Sequence, residues 1–152
     1  MRIAYVLPLS AEKIIPGIDV FEYEKTRRFL EYAINLTKMG FETRYYRYHL
    51  SNKIRLENYK GVNIYFLPVT LDTRSLDQTD GEYSYSLLRH IKSFRPDIVH
   101  CFGSVAKNFW YVWFIAKLSG AAFVAEHCGA LNNPHLSRKK LSLSNNIARF
   151  HN

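Results

Sequence analysis

Cysteine is scarce in this 152-residue chain. Cys101 and Cys128 each lie at the end of an apolar run, which argues against a disulfide framework and for free thiols in a reducing compartment. Glycine and proline are also few, seven and five, so collagen-like and low-complexity classes drop out. Hydrophobic residues make up 47% and charged residues 22%, which excludes a disordered chain. The longest apolar stretch, residues 109–118, is interrupted by Lys117 and is too short to span a bilayer. The opening MRIAYVLPLS has too short an apolar run for a signal peptide, so the expectation is a soluble, cytoplasmic protein. Phosphate-binding glycine motifs are missing as well. After the first apolar run the chain reads PLSAEKIIPGID, with neither G-x-G-x-x-G nor a Walker A loop. The two cysteines stand too far apart for zinc spacing. No metal and no cofactor is expected.

What is present is one domain's worth of chain, residues 1–152, with a dense aromatic content of 11 Tyr, 10 Phe and 2 Trp. Lysine and arginine outnumber aspartate and glutamate 21 to 13, a net charge of +8. Such a balance points toward acidic ligands, a nucleic acid or an anionic membrane surface.

Apolar runs of strand length alternate with helical patterns. Residues 2–9 (RIAYVLPL) read as a strand buried on both faces of a parallel sheet. A loop over 10–18 carries Pro16 and Gly17. Asp19 and Glu22 then form a capping-box-like start to one helix running to about Met39, with Gly40 as its stop. Residues 42–49 (ETRYYRYH) read as a second strand, placed near the sheet edge by their tyrosines and arginines. A polar connection over 51–61 leads to a third strand at 62–69, and a polar loop over 71–81 follows. Tyr83, Leu87, Ile91 and Phe94 repeat at helical spacing, ending before Pro96. Residues 97–102 and 121–127 are the fourth and fifth strands, separated by a helix that Ser104 can cap and Gly120 ends. A basic helix is expected from about Ser137. This alternation calls for a Rossmann-like, doubly wound, mostly parallel α/β sheet with helices on both faces. Ligands in such sheets bind beyond the carboxyl ends of the strands, where the strand order reverses.

Four features at those ends can carry chemistry. Glu126 and His127 close the fifth strand before Cys128-Gly129, and a histidine there can donate to a sugar hydroxyl or a phosphate. The plainer alternative is a Glu and a His satisfied at a strand end. Gly103 and Ser104 follow the fourth strand, where free N–H groups of a helix start can meet an anion or hydroxyl, or simply make a tight turn. His100 reads as a core histidine bonded to backbone. The long loop over 8–19 brings Ser10, Glu12, Lys13 and Gly17 within reach of a ligand. Finally, Lys25, Arg27 and Arg28 on the first helix, Arg44, Arg47, Lys53, Arg55 and Lys60 around the second strand, and Arg138, Lys139 and Lys140 on the last helix, interleaved with Tyr45, Tyr46 and Tyr48, make a basic, aromatic surface. That surface suits nucleic-acid bases, a membrane interface or plain solvation. No nucleic-acid-binding signature accompanies it, and no nucleic-acid partner is expected.

Taken together, MRIAYVLPLS, LTKMGFE at 36–42, GVNIYFLPV, RPDIVHCFG at 95–103 and VAEH at 124–127 resemble the N-terminal domain of family 4 glycosyltransferases. The resemblance covers the chain from Met1 to about His135. It implies one half of a GT-B fold and retaining sugar transfer from a nucleotide-sugar, without a required metal. This half binds the acceptor, a sugar or a lipid-linked sugar, while a second domain binds the donor. His127 is similar to the family histidine that approaches the transferred sugar. Gly103 and Ser104 match a cleft-lining loop, and the loop with Ser10 and Gly17 matches one that touches donor phosphate or acceptor. Glu126 joins them as a substrate-binding residue. The chain departs from the family pattern in lacking a Gly-Gly pair in the first loop and in carrying Phe102 where a second histidine is common. Nor does an E-x7-E motif occur within the 152 residues. The chain by itself is therefore expected to be inactive. Two alternatives remain: a half-enzyme paired with a separate donor-binding subunit, with peripheral contact at the inner membrane face through its basic surface, and a non-catalytic Rossmann-like binding module.

Overall fold

A computed structural model describes residues 1–12, 15–73, 81–102 and 107–126. Eight strands and four helices follow in the order β1 (Arg2–Ser10), α1 (Val20–Lys25), α2 (Arg28–Lys38), β2 (Glu42–His49), β3 (Arg55–Tyr59), β4 (Val62–Pro68), β5 (Leu71–Asp72), β6 (Glu82–Tyr83), α3 (Ser86–Phe94), β7 (Ile98–Phe102), α4 (Lys107–Leu118) and β8 (Ala122–Glu126). Six strands form one sheet in the order β3-β4-β2-β1-β7-β8, and β5 pairs with β6 in a separate ribbon. Every neighbouring pair of the large sheet is parallel except β3 with β4. The architecture is mixed α/β, a mostly parallel sheet flanked by helices, and is compatible with a Rossmann-like fold.

The period of two along each strand divides the core. Tyr5, Leu7, Tyr45, Ile64 and Phe66 pack with Leu30, Ala33 and Ile34 of α2. Ala4, Val6, Tyr46, Tyr48, Val99 and Cys101 pack with Leu87 and Ile91 of α3 and with Val112, Ile115 and Ala116 of α4. Consecutive tyrosines of β2 thus serve different halves of the core. Burial on both sides is what a parallel strand requires, and it explains the unbroken apolar run of β1.

Four local expectations are corrected. β2 is a central strand, paired to β1 on one side and β4 on the other, and Tyr45, Tyr46 and Tyr48 are fully buried. The aromatic surface expected there does not exist. The first helix is two. Thr26 closes α1, donating its Oγ1 to the Tyr23 carbonyl at 2.7 Å, and Arg27 turns extended at φ −98°, ψ 138° before α2 begins. The connection over 51–61 contains β3, an antiparallel edge strand whose exposed side chains hid it from a hydrophobic pattern. Tyr83 lies in β6 rather than in a helix, and α3 starts at Ser86.

β1 also carries an irregularity that shapes its end. Its register with β2 shifts between Leu7 and Ser10. Pro8 sits in this interval and has no N–H to give to a ladder, so a break in regular pairing there is expected. The Pro8 carbonyl instead accepts a hydrogen bond from Asn108 Nδ2 of α4.

Candidate functional site

The sheet order places the carboxyl end of β1 beside that of β7. From this junction β2 and β4 lie to one side and β8 to the other, so the strand order reverses here. Crevices for ligands form at such a reversal because the loops on the two sides lead away from each other.

At the end of β1 sits Ser10, buried. Its backbone N–H donates to Glu82 Oε2 at 2.5 Å, and its hydroxyl donates to Glu82 Oε1. Glu82, on β6, is wholly buried. Further polar groups crowd behind this pair. Tyr111 donates its hydroxyl to the Ser84 carbonyl at 2.9 Å, and Ser84 and Ser86 join hydroxyls at 2.8 Å. Burial, more than any neighbour, raises the Tyr48 hydroxyl well above its ordinary value, so it is a proton donor at physiological pH. Asn108 Oδ1 is buried with no hydrogen-bond partner among the described residues.

Across β7 and β8, from the middle of the one to the end of the other, a second pair forms. His100 Nε2 lies 3.3 Å from Glu126 Oε2, and the His100 ring rests 4.6 Å from that of Tyr5. His100 was expected to bond backbone; its partner is instead a carboxylate of the neighbouring strand. The register explains this. His100 stands opposite Val124 and Phe102 opposite Glu126, so His100 and Glu126 are diagonal neighbours on one face. Desolvation lowers the histidine's pKa below 6.5, partly offset by the Glu126 charge, so the ring is neutral at pH 7. The Glu126 carboxylate is partly exposed and can meet a ligand while contacting His100.

Gly17 lies exposed in the loop between β1 and α1 at φ +79°, and a Cβ there would meet no atom within 4 Å. The loop therefore needs this glycine for its backbone angle, not for space. Glu12 Oε1 in the same loop accepts the Leu50 N–H at 3.1 Å, tying it to the end of β2. His127, Gly103, Ser104 and Lys13 lie outside the described residues, as do Cys128 and the basic helix expected from Ser137.

A cavity of about 330 Å³ opens at the ends of β2 and β4. Glu12, Asp19, His49, Ser51, Lys53 and Arg55 contribute its polar wall. Carboxylates and cations balance there, so the lining suits a neutral ligand with hydroxyl groups better than a free ion. Asp19 also caps α1, accepting from the Phe21 and Glu22 N–H groups; the Glu22 bond is the main reason its carboxyl titrates below 3.8. His49 Nε2 lies 2.8 Å from the Lys53 carbonyl, which fixes the ring in the wall.

Of the basic groups expected to form one surface, Arg47 is spent inside the molecule and Arg44 is half-buried, while Lys53, Arg55 and Lys60 stay exposed. Arg47 is buried with its Nε 3.2 Å from Glu24 Oε1, while Tyr45 donates to Glu24 Oε2 at 2.6 Å. Arg55 pairs with Glu57, and Arg44 stacks over the ring of Phe94. Sequence reasoning missed Glu82 and Glu24, because nothing local marks a carboxylate whose partner is many residues away. Among the described residues no group of three His, Cys, Asp or Glu could hold a metal ion, and no helix is long and apolar enough to cross a membrane.

No protein-family model matches the chain, and no curated protein matches it significantly.

Proposed function

We propose that this chain is the acceptor-side half of a GT-B glycosyltransferase, a doubly wound Rossmann-like domain serving retaining sugar transfer from a nucleotide-sugar. The observation that carries this reading is the strand order β4-β2-β1-β7-β8, whose reversal falls between β1, ending at Ser10, and β7, with Glu126 at the end of β8 beyond it. The motif resemblance supports it from the sequence side. In this reading the cavity at the ends of β2 and β4 seats acceptor hydroxyls. Glu126 orients a hydroxyl of the transferring sugar, and His127 approaches that sugar. The donor nucleotide is held by a second wall, on the same polypeptide or on a partner subunit, because transfer needs groups on both sides of the reacting bond.

Saturation-transfer NMR on the 152-residue chain tests this. A panel of sugar acceptors should receive saturation, and nucleotide-sugars should receive little. Saturation of neither class leaves a non-catalytic module and sinks the proposal, and strong saturation of the nucleotide would reverse the assignment of the two walls.

A further inference from the structure

Helices α3 and α4 present a face that the sugar-transfer reading does not use. Both pack on the same half of the core, through Leu87 and Ile91 of α3 and Val112, Ile115 and Ala116 of α4. Their opposite sides therefore point outward together. On α4 the outward residues are large and apolar: Trp110 is 41% exposed, Phe114 53% and Leu118 50%. They recur at every fourth position, a stripe along one side of the helix. Tyr85, just before α3, is 61% exposed. Apolar side chains this large and this exposed in one row mark a contact surface rather than scattered solvent-facing residues.

The charges on this face have one sign. Neither α3 (SLLRHIKSF) nor α4 (KNFWYVWFIAKL) contains an aspartate or a glutamate. Arg89, Lys92, Arg95 and Lys117 are all exposed. Where the two helices end, an open pocket of about 520 Å³ is lined by Arg2, Lys92, Arg95 and Leu118. Among the described residues one carboxylate lines it, Asp97, which already accepts the Arg2 backbone N–H at 2.6 Å. The apolar stripe thus runs into a pocket rich in cations.

We infer that the α3–α4 face docks on an anionic phospholipid bilayer, with Trp110, Phe114 and Leu118 entering the headgroup–acyl boundary and Lys92 and Arg95 meeting lipid phosphates. Tryptophan, phenylalanine and leucine beside lysine and arginine is the composition that lies in a membrane interface. Charge complementarity selects anionic lipid, since basic residues near such a surface attract it and acidic ones would oppose it. A nucleic acid would reward the cations and stack on Trp110 and Phe114, but it would gain nothing from Leu118. The inference does not depend on the sugar-transfer reading.

Both tryptophans of the chain, Trp110 and Trp113, lie on α4, so intrinsic fluorescence reports on this helix alone. The full chain is mixed, in low salt, with phosphatidylcholine vesicles and with vesicles containing phosphatidylglycerol. The expected result is sedimentation with the anionic vesicles and a shift of tryptophan emission to shorter wavelength, neither of which occurs with phosphatidylcholine alone. The triple variant R89E/K92E/K117E, whose side chains have no described ion-pair partner to lose, should keep its circular dichroism. It should bind at least about a hundredfold more weakly, from about fivefold for each cation removed. Several results would overturn the inference: no binding to anionic vesicles, unchanged binding by the triple variant, or tryptophans already shielded from acrylamide before vesicles are added. The last would mean that residues 127–152 or a second copy covers the face. Displacement from vesicles by single-stranded RNA, with the same emission change, would reassign the face to nucleic acid.

Discussion

Glu82 holds Ser10 at two points, through the backbone N–H and through the hydroxyl, although 72 residues separate them. The tip of the central strand β1 is thereby fastened to a two-strand ribbon outside the main sheet. Both groups are buried, so the carboxylate cannot be replaced by water without rearrangement.

Glu82→Gln should destabilise the protein by about 1–3 kcal/mol, because an amide N–H₂ must then face a donor in a buried site. Ser10→Ala should cost less, since it removes the hydroxyl donor and leaves the backbone bond in place. Urea unfolding of the two variants checks the order. Equal and negligible losses would show that the pair is not intact in solution.

The buried Arg47–Glu24 pair gives an asymmetric expectation. Arg47→Met should cost about 3–5 kcal/mol, because it strands a carboxylate with only the Tyr45 hydroxyl to satisfy it. Adding Glu24→Gln to Arg47→Met should recover much of that loss. A double-mutant cycle from denaturant curves measures the coupling, and additive losses would contradict it.

Three histidines, His49, His90 and His100, have their pKa values lowered, chiefly by burial. The unfolded chain therefore binds protons at a higher pH than the fold does. The stability these groups contribute is present above the unfolded value of 6.5 and is lost as the pH falls through their folded values. Thermal midpoints measured between pH 7.5 and 5 should decline with acidification. Because the Glu126 charge raises the His100 pKa, Glu126→Gln should move the His100 titration to still lower pH, which NMR of the ring protons will report. An unchanged His100 titration would place Glu126 away from the ring.

On the proposed function, His127→Ala in an enzyme that has both walls should lower sugar transfer severalfold or more while leaving the unfolding curve nearly unchanged. Unaltered turnover would remove His127 from the reaction. The 152-residue chain alone should transfer no sugar at an enzyme-like rate, and a coupled assay for released nucleotide tests that directly.

The five parallel strands could be read from the sequence nearly to their ends; for β1, β4 and β7 the signal is an apolar run of the kind that burial on both sides requires. β3 and the β5–β6 ribbon could not, since RLENY and LD are polar and mostly exposed. The tyrosines of β2 misled for a related reason. A phenol with an arginine beside it looks like surface, yet the Tyr45 hydroxyl is satisfied inside by Glu24, and only the three-dimensional fold brings that partner near. The break between α1 and α2 was equally hidden, because the apolar spacing continues across it while Arg27 leaves the helical region. Of the candidate site, Glu126 was legible as a strand-end residue, while Ser10 reads from the sequence as the start of a loop and in the structure closes β1. Their partners His100 and Glu82 were not paired with them, since a cross-strand diagonal and a contact over 72 residues leave no trace in local pattern.

The Ser10–Glu82 clasp also has a kinetic meaning. The ribbon of β5 and β6 is too short to hold itself, with only two residues in each strand, so its order is borrowed from β1 and from the Tyr111 contact to Ser84. The tip of β1 and the ribbon should consequently open as one unit, their amides exchanging with deuterium at a common rate set by a single local unfolding event rather than residue by residue.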